Sequence, residues 1–185
     1  FTGRLERAGD LRDAVHLLRP GDLPGPAGEV YLCWRRAVER PVSIKALHRA
    51  LPMYPQDKIA RWLDAGGRGG VCMPVARAAH VLEAVLTQSP RAETLGLILA
   101  DAVLSQTLGW DHIVPLLASG LKRSDLRKQG DDLRLACHRA VILCATEAVW
   151  TVNNLAQRTA RLHAVTPKLR AKGALSLIHI SEPTR

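Results

Sequence analysis

The stretch LACHRAVILCATEAVW, Leu135 to Trp150, decides the reading of the fold. It is apolar on nearly every side, and a helix that is hydrophobic all round is one buried among other helices. The whole element is read as running from Asp131 to Val165. Asp131 and Asp132 stand in its first turn, where carboxylates favour the exposed amides. Arg158, Arg161 and His163 stand near its end, where cations suit the helix dipole. Thr166-Pro167 then predicts the stop, because the residue before a proline is pushed out of the helical region. At about 1.5 Å per residue the element would approach ~50 Å, too long for the centre of one small domain. A bend or break is therefore expected near Thr151 to Asn154, where β-branched and Asn residues lower helix propensity.

Aromatic residues make up 4% of the chain, so the core must be built from Leu, Val, Ile and Ala, which suits closely packed helices. Further helices are read over Asp10–Leu18, Pro26–Val38, Ser43–Leu51, Pro55–Ala65, Pro74–Thr87 and Ser89–Leu108, with a short helix or turn over Asp111–Ala118. Pro26 can occupy a first helical turn without loss, and Ser43 is a plausible N-cap. Between the first two lies Arg19–Gly28, RPGDLPGPAG, where three prolines and three glycines forbid a helix or strand interior. Gly66-Gly67-Arg68-Gly69-Gly70 separates the halves; with no following strand or Lys-Ser/Thr pair, a flexible or tight connection explains it better than a phosphate loop. The expected architecture is all-α, an irregular orthogonal bundle of about seven to nine helices around a long buried C-terminal helix.

Three segments carry a resemblance to a known family. DLRDAVHLLRPGDLPGPAGEVYLCWRRAVERPV (Asp10–Val42), LILADAVLSQTLGWDHIVPLLA (Leu97–Ala118) and ARLHAVTPKLRAKGA (Ala160–Ala174) resemble the bacterial proteins grouped as domain of unknown function 1403. The resemblance implies an all-helical protein with no established activity, so it assigns no catalytic residue. It also implies a chain that continues past the KGA segment. Residues 175–185, LSLIHISEPTR, resemble the translation of a transposase sequencing adapter, and a genuine apolar strand would alternate more clearly. The native chain is thus read as a single domain, Phe1 to Ala174, truncated at both ends.

The formal charge of +9 and pI near 10.0 fit a nucleic-acid or anionic partner, and fit equally the Arg-rich codon bias of a GC-rich genome. Cys33, Cys72, Cys137 and Cys144 show no CxxC spacing and are read as buried thiols rather than metal ligands or a disulfide. No run of about eighteen uncharged apolar residues occurs, so no membrane partner is expected. A cytoplasmic location is expected, with a targeting signal left open because Phe1 is not a start residue.

Two function classes stay open. The first is a non-enzymatic scaffold or regulator with nucleic acid as candidate partner, contacted through Arg158, Arg161, Lys168, Arg170 and Lys172. Base-stacking aromatics are missing from that segment. The second is an enzyme or metal protein built on a polar pocket of Asp101, Asp111, His112 and Glu147. Asp101 and Glu147 sit in apolar helices, and carboxylates meeting across helices can hold a metal or act as acid and base. Each has a plainer explanation: pairing with an arginine such as Arg139, solvent access, or helix capping by Asp111. His80 and Glu83 form HxxE, the reverse of the di-iron ExxH order and without a second copy, so a surface pair is the simpler reading. No cofactor and no metal site is assigned.

Overall fold

The computed structural model describes residues 15–19, 21–67 and 73–171, with side chains through residue 165. Every regular element among them is helical. In order they are α1 (Gly25–Val38), α2 (Ile44–Ala50), α3 (Gln56–Ala65), α4 (Pro74–Gln88), α5 (Glu93–Thr107), α6 (Leu116–Gly120), a 3-10 turn (Asp125–Arg127) and α7 (Gly130–Ala171). The chain divides into two compact units, Phe1–Cys144 and Ala145–Arg185.

Helix starts follow the local chemistry. Ser43 caps α2, its Oγ accepting the Ala46 N–H at 3.2 Å. Pro26 and Pro74 lie in the first turns of α1 and α4, where a missing N–H costs nothing. α5 starts later than Ser89-Pro90 suggested. Ser89 closes a turn instead, its carbonyl accepting the Ala92 N–H at 2.9 Å.

The first unit is organised around α5, whose residues from Leu95 through Ser105 are all buried. Leu95, Ile98, Leu99, Ala102 and Val103 pack with Leu47 of α2, Leu51 just past its end, and Ile59 and Trp62 of α3. Leu97, Ala100 and Leu104 face a second cluster containing Leu82, Leu117, Leu133, Cys137 and Ala140. Gly96 lets α4 approach closely, since a Cβ there would sit 3.0 Å from Leu82 Cδ1.

The stretch expected at the centre is not the buried one. In the first unit α7 buries only Leu133, Ala136, Cys137 and Ala140, a single helical face, while Leu135 and Leu143 are 54% and 61% exposed. In the second unit Val149, Trp150, Val152 and Leu155 are each more than half exposed. Apolarity permits burial, but only neighbouring elements produce it, and α5 is the helix with neighbours on both sides. The expected break at Thr151–Asn154 is absent too, as is the stop at Thr166-Pro167. β-branched and Asn residues cost a few tenths of a kcal/mol each, less than the cost of renucleating a helix. Pro167 lacks an N–H, which removes one rung of the ladder without ending it.

Gly130–Val165 is long and apolar enough to cross a membrane by length and composition. It qualifies on average hydropathy; Arg139 and Glu147 interrupt the apolar run. The expected Asp10–Leu18 helix falls mostly outside the described residues, with Val15 and His16 helical. Lys172, residues 175–185 and most of the Gly66–Gly70 run lie outside them as well.

Candidate nucleic-acid interface

The four residues read as a polar pocket have separate settings. Asp101 is fully buried in α5, and its carboxylate is occupied: Oδ1 accepts the Leu117 N–H at 2.8 Å and Oδ2 the Ala118 N–H at 3.1 Å. α6 begins without a side-chain cap of its own, so Asp101 supplies the acceptor its first amides need. Burial pushes the carboxyl up to about 7, and the amides of Leu117, Ala118 and Leu116 pull it down. One turn further along, buried Ser105 accepts the Val114 N–H at 3.1 Å. The two buried polar side chains of α5 therefore fasten the 110–118 segment to the core.

Asp111 and His112 are exposed in that segment. The Asp111 carbonyl accepts the Val42 N–H at 2.8 Å, a backbone tie that leaves its carboxylate outward. Glu147 is exposed on α7 in the second unit. No hydrogen bond joins any two of the four, and no group of three or more His, Cys, Asp or Glu among the described residues is placed to hold a metal ion. Cys137 sits beside Asp101, where desolvation pushes its thiol up to about 12 with the Asp101 charge adding to the effect, so it is a packing residue.

The basic residues read as nucleic-acid contacts have a more favourable setting. In the second unit, Trp150, Asn153, Asn154, Gln157, Arg158 and Arg161 follow one another at three- and four-residue intervals and share one face of α7. Together they line a shallow depression of about 390 Å³. Trp150 is 66% exposed, and no carboxylate among the described residues lies within salt-bridge distance of Arg158 or Arg161. Asn, Gln and Arg are the side chains that read base edges in a major groove, Arg also grips phosphate, and an exposed Trp can stack on a base. Glu147, three residues before Trp150, places a carboxylate at one end of the face.

Sequence reasoning found the arginines and missed their neighbours. Apolar patterning assigns Trp150 to the core, and low helix propensity assigns Asn153 and Asn154 to a break. Counting helical spacing backward from Arg158 through Asn154 to Trp150 is the signal that links them. Lys168 and Arg170 continue on the same helix.

The profile of the family described as "Protein of unknown function (DUF1403)" matches residues 1–181, and the chain belongs to that family. No curated protein and no solved structure matches it significantly.

Proposed function

Within that family, we propose that this chain is a non-enzymatic, nucleic-acid-associated scaffold or regulator that lays the Trp150–Arg161 face of α7 against duplex DNA. The observation that carries this reading is the shared face of exposed Trp150, Asn153, Gln157, Arg158 and Arg161 with half-buried Asn154. A helix of this diameter fits a major groove, and amide and guanidinium side chains along one face can contact base edges while Arg reaches phosphate. The chain's formal charge of +9 favours approach to a polyanion.

The alternative, chemistry on buried carboxylates, finds less support. Asp101 spends its oxygens on the amides of α6, and a carboxylate so engaged is a poor base or ligand.

Fluorescence anisotropy of a labelled mixed-sequence duplex tests the proposal. Binding should weaken steeply with salt and exceed that of an unrelated protein of equal charge. Binding indistinguishable from that control would sink it, and partition into anionic vesicles in place of DNA binding would favour a membrane role for the apolar helix instead.

A further inference from the structure

A cleft of about 600 Å³ opens in the first unit, between the turn linking α4 to α5 and the segment around the 3-10 turn. Arg91 enters it from the first side; Arg123, Arg127 and Lys128 enter from the second, with Leu86 and Leu126 as apolar surface between them. Its charges are unevenly matched. Lys128 Nζ lies 2.5 Å from Asp125 Oδ1 and is satisfied. Glu83 Oε1 accepts the Gly130 N–H at 2.7 Å and so serves the start of α7. Arg123 Nε stands 3.6 Å from Glu93 Oε1, beyond a good hydrogen bond. Arg91 and Arg127 have no carboxylate within salt-bridge distance among the described residues.

The turn that presents Arg123 and Arg127 is held in place. Asp125 Oδ2 accepts the Lys122 N–H at 3.0 Å while Oδ1 holds Lys128, and these bonds keep its carboxyl below the usual range. Two unmatched arginines and a third loosely held one thus line one cleft, Arg123 and Arg127 on the held turn and Arg91 on the opposite side. Each guanidinium offers a planar donor fork matched to phosphate oxygens. A monocarboxylate would satisfy one fork; a phosphate dianion has the charge and the oxygens for two or three. The volume falls in the range of roughly 300–1,000 Å³ usual for small-molecule sites.

We propose that this cleft binds a small phosphorylated ligand, with its phosphate between Arg91 and Arg127 and with Arg123 exchanging Glu93 for the ligand. This site is independent of the α7 face.

The test uses the full chain, with inorganic phosphate, pyrophosphate and adenosine monophosphate as probes at constant ionic strength, followed by thermal melting and calorimetric titration. The phosphate probes should raise Tm above the sodium chloride control. Arg91→Gln with Arg127→Gln should weaken the Kd about ten-fold or more, as expected for lost charge-assisted hydrogen bonds. The single Arg91→Gln should give a partial loss. Both arginines are exposed, so the unliganded melt of each variant should match the parent. Arg158→Ala with Arg161→Ala should leave phosphate binding intact even if DNA binding fails. A Tm rise no larger than with sodium chloride, or an unchanged Kd in the double Gln variant, overturns the proposal. So does a double variant that loses duplex DNA while free phosphates never bind, which would make the cleft a backbone contact.

Discussion

Asp101 offers a prediction whose size follows from its surroundings. Its carboxyl ordinarily titrates at 3.8 and is pushed up to about 7 by burial, against the pull of the α6 amides. The folded state therefore holds this proton more tightly than the unfolded chain does. The stability it contributes is fully present below pH 3.8, is lost progressively as pH rises, and is gone above about 7. That span corresponds to roughly 4 kcal/mol. Asp101→Asn removes the titration and keeps the shape. Urea unfolding of both proteins between pH 4 and 8 yields a difference curve in which other titrating groups cancel. Parent stability minus variant stability should fall by an amount of that order across the interval. Parallel curves would refute the assignment of a buried, proton-retaining Asp101. Asp101→Ala removes the acceptor of both the Leu117 and Ala118 N–H groups and should cost about 2–5 kcal/mol at pH 4; alanine does not titrate, so that cost shrinks as pH rises toward 8.

Two further substitutions probe the packing. Leu99 on α5 is fully buried, so Leu99→Ala should cost about 2–5 kcal/mol, whereas Leu143→Ala on exposed α7 surface should stay within about 0.5 kcal/mol; equal losses in thermal melts would restore α7 to the centre. At Gly120, an added Cβ would come within 2.8 Å of the Ala140 backbone and Cβ, so Gly120→Ala should destabilise by about 1–3 kcal/mol. An unchanged Tm would mean that α6 and α7 do not approach so closely.

The helical class was legible because Leu, Ala and Val at helical spacing, with prolines and Ser43 at the starts, leave little room for strands. The identity of the central helix was not. Leu135–Trp150 and Leu95–Leu104 are both apolar all round, and one-dimensional patterning cannot say which acquires neighbours on both sides. Gly96 lets α4 approach α5 closely, but α7 carries small Ala136 and Ala140 as well, so side-chain size does not separate the two helices either. The role of Asp101 was half legible. Its setting in an apolar helix left arginine pairing and solvent access both open; the structure buries it, and the partner is a pair of amides about sixteen residues onward in sequence. Arg158 and Arg161 were visible as charges, while Trp150 and Asn154 join them only once the helix is continuous.

The most direct test of the proposed function is the salt dependence of duplex binding by the full chain and by its Arg158→Ala, Arg161→Ala variant. Each phosphate contact contributes about 0.9 to the slope of log K against log salt, so losing two should flatten it by roughly 1.8. A flattened slope with weaker binding is the predicted result. An unchanged slope and affinity would show that whatever DNA binding occurs does not use this face of α7.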